Sequence, residues 1–202
     1  MGLGSASGST ELAEVLALPA PNLRRRRRRR SAALQEIMSE SLLQILPATE
    51  EHWAGIWEIF HRVVEAGDTY VYDPDTDEPT ARQIWMCSEV KPFVALGDGQ
   101  IAGTYILKSN QPGLGAHVAN AGFMVHPESR GSGVGLAMGR HALETARLLG
   151  YKAMQFNFVV STNTAAVALW QKLGFNIVGT LPKAFRHTRV GFVDAYVMFR
   201  EL

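Results

Sequence analysis

The stretch Gly122-Phe123-Met124-Val125-His126-Pro127-Glu128-Ser129-Arg130-Gly131-Ser132-Gly133-Val134-Gly135 constrains this chain more than any other. An apolar run leads into a proline-initiated turn, and glycines then open an amphipathic helical pattern. Glycine lets backbone N–H groups approach an anion without a Cβ in the way, and a helix N-terminus adds the positive end of its dipole. The residues therefore describe a phosphate or pyrophosphate cradle. Two nucleotide motifs do not fit. The G-x-G-x-x-G fingerprint fails in both registers, at Leu136 and at Met138, and no Gly-Lys-Ser/Thr follows to make a P-loop. A glycine-rich strand–helix turn that holds no ligand is the other reading open at this point.

The rest of the chain bounds what can surround that turn. Its 202 residues allow one domain with a sizeable core. With 47% hydrophobic and 19% charged residues it reads as globular. The formal net charge of +1 exerts no global pull toward nucleic acid or a membrane. No apolar run reaches the roughly 18–20 residues of a membrane helix. The lone Cys87 excludes an intrachain disulfide and multi-cysteine zinc sites, so no metal is expected. It fits a reducing, cytoplasmic setting.

Residues 1–41 differ in kind from the rest of the chain. They are Gly/Ser-rich at the start and carry consecutive arginines from Arg24 through Arg30. A block of like charge repels itself, so a disordered N-terminal tail is expected. A secretory signal would place its charge before the apolar segment, and here the order is reversed. Glu11 and Glu14 argue against a mitochondrial presequence, and Ala6 breaks the myristoylation pattern.

From residue 42 the chain alternates between strand and helix patterns. A strand is expected over 42–46. Thr49 then caps a helix in which Trp53, Ile56, Trp57, Phe60 and Val64 recur at helical steps. A loop rich in Asp and Thr spans 67–79, and a short helix 80–86. A hairpin covers 93–107, and a strand 117–125 comes next. A long helix 133–149 ends at Gly150, a strand spans 153–160, a helix 164–173, and two strands close the chain. This order predicts an α/β domain over 42–202 with a mixed sheet.

Two motifs in this arrangement resemble a known family. Arg130-Gly131-Ser132-Gly133-Val134-Gly135 is similar to the Arg/Gln-x-x-Gly-x-Gly/Ala signature of the GCN5-related N-acetyltransferases (GNAT). Asn163-Thr164-Ala165-Ala166-Val167-Ala168-Leu169-Trp170-Gln171-Lys172-Leu173-Gly174-Phe175 is similar to the family's second signature. The resemblance implies the GNAT fold, a mostly antiparallel mixed sheet of about seven strands flanked by helices. It implies an acyl-CoA-dependent N-acyltransferase with acetyl-CoA as co-substrate, and it admits a homodimer. Backbone groups of Phe123 and Val125 would line the pantetheine arm. Those of Gly131, Ser132, Gly133, Val134 and Gly135 would hold the pyrophosphate, with Arg130 opening the loop. The Val125 N–H would lie near the thioester oxygen, and Asn163 near the sulfur; these two are the catalytic candidates.

One feature departs from the family pattern. Many members place a tyrosine seven residues after the motif asparagine to protonate the thiolate, and here that residue is Trp170. Indole N–H donates a hydrogen bond but is no usable acid, so Trp170 reads as packing on the Ala166/Trp170/Leu173 face. No base stands out among His117, His126, Glu128, Asp68 and Asp194, and a water chain could serve instead.

Within the family, Asn120, Asn157 and Asn163 resemble substrate- and cofactor-binding asparagines of fungal acetyltransferases acting on azetidine-2-carboxylate and related proline analogues. Asn120 and Asn157 would then bind a small amino-acid-like acceptor. The bland alternative is that both amides are simply satisfied beside a sheet bulge. Thr69 and Tyr70 sit in the loop where the family builds its acceptor pocket. Two alternative functions stay open: a peptide or protein N-terminal acetyltransferase, and a nucleic-acid-binding protein working through the arginine run.

Overall fold

The computed structural model describes residues 43–202, together with Met1. The tail and its arginine run, and with them the nucleic-acid reading, lie outside the described residues.

Seven strands form one sheet in the order β1-β2-β3-β4-β5-β7-β6. They are β1 (Leu43–Pro47), β2 (Lys91–Gly97), β3 (Gln100–Ser109), β4 (Val118–Val125), β5 (Ala153–Val160), β6 (Asn176–His187) and β7 (Gly191–Glu201). Every neighbouring pair is antiparallel except β4–β5. The helices are α1 (Trp53–Glu65), α2 (Glu78–Trp85), α3 (Val134–Leu148) and α4 (Thr164–Lys172).

Local chemistry accounts for these boundaries. The Asp77 carboxylate accepts the Thr80 N–H at 3.0 Å and caps α2, with a proline in the first turn. Thr49 differs from expectation: it caps a single 3-10 turn, Glu50–His52, and α1 begins only at Trp53. The Thr49 N–H donates to His52 Nδ1 at 2.9 Å, which favours the tighter turn before the helix. Helix α3 ends where Gly150 adopts φ +87° and Tyr151 N–H returns to the Ala146 carbonyl.

Alternation along the strands divides the core between the two sheet faces. Tyr105, Leu107, Ala119, Ala121, Met154 and Phe156 pack with α3 and α4. Val94, Ile106 and Met124 pack with α1 and α2. On the second face Thr104 is fully buried; its hydroxyl accepts the Trp85 indole N–H at 2.9 Å and donates to the Phe93 carbonyl at 2.8 Å. Thr104→Val keeps the shape but leaves the Trp85 indole N–H without its acceptor and removes one of the bonds to the Phe93 carbonyl. It should lower stability by about 1–3 kcal/mol, read as a fall in the chemical denaturation midpoint.

Candidate active site

The parallel pair β4–β5 is joined only at its start, where Val118 faces Ala153 and Ala119 faces Met154. Beyond those residues β4 stays with β3 as far as Val125, while β5 follows β7. The two strands therefore splay, and a cleft of about 930 Å³ opens between them.

Register shows what the β4 edge presents to that cleft. Asn110 N–H donates to the Val118 carbonyl at 2.8 Å, and His126 N–H to the Ala102 carbonyl at 2.9 Å. In an antiparallel ladder alternate residues exchange both bonds, so the even-numbered residues of β4 are bound to β3. The N–H and C=O groups of Ala121, Phe123 and Val125 consequently face the gap. One of them has a partner. Tyr70, from the loop after α1, donates its hydroxyl to the Phe123 carbonyl at 2.9 Å. Burial, with Tyr72 close by, pushes the Tyr70 hydroxyl far above the ordinary phenol range, so it stays a neutral donor there.

At the mouth of the cleft the turn Pro127–Ser129 leads through Arg130 into the glycines. Gly131 has φ +78° and Gly133 φ +94°, the left-handed region open to glycine at little cost. Gly133 precedes α3 as its cap without a side-chain bond, and no acidic residue stands in the first turn. The first N–H groups of α3 thus lack intrahelical partners and point outward with the positive end of the dipole. Gly135 serves a different purpose: a Cβ there would lie 3.3 Å from Leu169 Cδ2, so its absence lets α3 close on α4. The Ser132 hydroxyl donates to the Ser129 carbonyl at 2.6 Å and stiffens the turn. The Ser132 N–H, expected to face the ligand, instead turns back to the Ser129 carbonyl at 3.4 Å as the chain tightens into the turn. The glycine N–H groups and the first turn of α3, with no Cβ over Gly131, remain a donor set that fits a pyrophosphate.

Asn163 caps α4. Its carboxamide oxygen accepts the Ala166 N–H at 3.1 Å, which commits Oδ1 to the helix and leaves the Nδ2 donors for a ligand. Trp170 is buried, with ring centroids 4.8 Å from Phe123 and 4.6 Å from Phe156. It is a packing residue.

Asn120 and Asn157 both line the cleft, on the sheet face that α1 and α2 cover. Asn120 Nδ2 donates to the Gln155 carbonyl at 2.8 Å, bridging the strands where they part. Asn157 Nδ2 donates to Asn110 Oδ1 at 2.7 Å, and Asn157 Oδ1 accepts from Gln155 Nε2 at 2.8 Å. Each amide therefore has structural partners, and Asn157 stands at a bulge in β5, where Phe156 faces Met198 but Val159 faces Tyr196. That extra residue turns Asn157 and Phe158 toward the cleft. Each NH₂ group still has a second hydrogen to donate.

Of the five acid–base candidates, four belong elsewhere. His126 and Glu128 join Glu58 and Arg62 in a surface cluster that braces the turn against α1. His117 Nδ1 meets the Leu114 carbonyl, and Asp194 accepts the Lys183 N–H across the β6–β7 hairpin. Asp68 alone lines the cleft. Sequence reasoning missed Lys108, which also lines it and sits opposite Asn120 in the β3–β4 register. The signal was a cation at the end of a strand whose same face otherwise carries the buried Thr104 and Ile106. Among the described residues no group of metal-ligating side chains occurs, and no helix is long and apolar enough to cross a membrane.

Comparison with known proteins agrees with this geometry. The model of the acetyltransferase (GNAT) family matches residues 53–175. The chain is 31% identical to N-acetyltransferase aca1 of Schizosaccharomyces pombe over 66% of its own length and 72% of that protein's. It is 32% identical to the L-amino acid N-acetyltransferase AaaT of Escherichia coli over 55% of its length and 68% of that protein's. A solved GCN5-related N-acetyltransferase from Kribbella flavida superposes with a TM-score of 0.78 at 43% identity, over 81% of this chain and all of that one. The splayed strands, the glycine cradle, the family model and these relatives together show that the chain belongs to the GNAT acetyltransferase family and is an acyl-CoA-dependent N-acyltransferase.

Proposed function

We propose that the protein transfers an acetyl group from acetyl-CoA to the amine of a small amino-acid-like acceptor, by direct attack in a ternary complex. When bound, acetyl-CoA supplies an activated acyl thioester. In this reading the backbone N–H groups of Gly131, Gly133, Val134 and Gly135 hold its pyrophosphate, with Arg130 at the rim, and the β4 edge at Phe123 and Val125 pairs with the pantetheine arm. The Val125 N–H stabilises the oxyanion that forms at the carbonyl, which is where a preorganised donor contributes most. Asn163 donates through Nδ2 near the sulfur. Holding both reactants in one cleft supplies much of the remaining rate enhancement.

The observation that carries the acceptor assignment is the polar floor beside the β4 edge. Lys108, Asn120 and Asn157 share one sheet face within the cleft, and together they suit a carboxylate: one cation and several amide N–H donors. One relative is by name an L-amino acid N-acetyltransferase, which supports the same class.

The test is an amine panel of free amino acids and short peptides, read by thiol release with wild type and Asn157→Ala. Wild type should acetylate free amino acids. Asn157→Ala should lose about tenfold or more in kcat/KM for them, with acetyl-CoA affinity unchanged. Turnover of peptides alone would overturn the acceptor class and favour an N-terminal acetyltransferase. Unchanged kinetics of the variant would remove Asn157 from the site.

A further inference from the structure

Asp68 and Thr69 lie in the loop between α1 and α2 and line the acceptor side of the cleft. Asp68 Oδ1 and Thr69 Oγ1 are both buried, and neither has a hydrogen-bond partner among the described residues. Buried polar atoms are almost always paired, because an unmade bond leaves the desolvation cost uncompensated. For a carboxylate oxygen that cost is greatest. Two successive residues of the cleft lining, each with an unpartnered buried oxygen, call for an explanation in terms of what the cleft holds.

The loop does not simply hang over the sheet. Its start is pinned where Gly67 N–H donates to the Val64 carbonyl at 3.0 Å and the Gly67 carbonyl accepts Thr188 N–H at 3.1 Å. The Thr188 hydroxyl also donates to the Ala66 carbonyl. One residue beyond Thr69, the Tyr70 hydroxyl holds the Phe123 carbonyl. The orphaned atoms are thus fixed between the β6–β7 turn and the β4 edge. No ion pair among the described residues neutralises Asp68.

We propose that Asp68 and Thr69 form the ammonium-binding end of the acceptor site. An ammonium group has N–H donors and no acceptor, so a carboxylate and a hydroxyl on successive residues of the cleft lining are its chemical complement. With Lys108 and the two asparagines on the sheet floor, the cleft offers a negative and a positive wall. That pattern matches a zwitterion, an acceptor with both a free amine and a free carboxylate. The inference rests on the amino-acid acceptor proposed for this cleft and adds the residues that select its amine. Analogues that keep the carboxylate and lack the amine, such as a des-amino acid, lose the Asp68 contact.

The experiment uses the full chain and its Asp68→Asn and Thr69→Val variants. The best acceptor of the wild-type panel, and its des-amino analogue, which keeps the carboxylate and lacks the amine, are titrated calorimetrically into CoA-saturated protein, where no turnover occurs. Steady-state KM and kcat are measured in parallel. Asp68→Asn should weaken acceptor binding and raise its KM by about tenfold or more while CoA affinity is retained, and the des-amino analogue should bind wild type about tenfold or more weakly than the acceptor itself. Acceptor binding within about twofold of wild type in Asp68→Asn would overturn the proposal. Should that variant lose CoA as well, Thr69→Val decides: weaker acceptor binding supports the site, and unchanged binding overturns it. If wild type takes only peptide amines, the amino-acid reading fails separately. The Asp68→Asn to wild-type ratio on that peptide still tests Asp68.

Discussion

Trp170→Ala is expected to destabilise the protein by about 3–5 kcal/mol, the range for removing a buried tryptophan from a well-packed core. The indole sits among Phe123, Phe156 and Phe175, and it joins α4 to the strands on both sides of the cleft. Its loss leaves a cavity at the point where β4 and β5 diverge, so the splay itself loses a support. Equilibrium denaturation monitored by far-UV circular dichroism reads the loss directly. Trp170→Phe separates packing from chemistry. It keeps an aromatic ring in the cluster and removes the indole N–H. A residue acting as general acid contributes about 10²–10⁴-fold, so a proton donor at this position would show a fall of that size in kcat. The packing role predicts instead that Trp170→Phe keeps kcat within about threefold of wild type while losing part of the stability. A hundredfold fall in a folded Trp170→Phe protein would return the proton path to this residue.

Much of this arrangement is legible locally. Alternation and helical spacing predict a strand over 153–160 and a helix over 164–173, and the structure has β5 at Ala153–Val160 and α4 at Thr164–Lys172. The two motifs mark the cradle and the helix beyond it because glycine requirements and caps are short-range. What cannot be read locally is pairing. Nothing in the composition of β4 or β5 says that their ladder stops after Ala119 and Met154, since that depends on which strands each edge meets over its whole length. The cleft exists only because of that divergence. The same limit applies to Asn157: its period places it on one face, but a bulge set by the β7 register turns it toward the gap. Asn163 carries two signals at once, a cofactor motif and an N-cap directly before α4, and the structure shows that the cap takes its oxygen. Asp68 is one acidic residue among several in its loop. Only burial sets it apart.

Gly131→Val is expected to weaken acetyl-CoA binding by about 5–150-fold, the equivalent of the roughly 1–3 kcal/mol that a β-branched residue pays in the left-handed region. The effect is one of backbone conformation. Gly131 has φ +78° and open space where its Cβ would be, so no collision enters. The turn is exposed on one side, and a valine there relaxes to negative φ in the free protein. Relaxation rotates the N–H groups out of the cradle, and binding must then restore the strained form. The penalty consequently falls on affinity more than on folding. Gly99 provides a matched comparison: it has φ +77° with nothing near its Cβ, but it lies in the β2–β3 hairpin, where the ladder on both sides holds the turn. Gly99→Val should therefore lose stability and keep acetyl-CoA affinity, while Gly131→Val does the reverse. Calorimetric titration of acetyl-CoA and thermal denaturation of the two variants separate the outcomes. If both variants bound acetyl-CoA as tightly as wild type, the N–H groups of this turn would not be what holds the pyrophosphate.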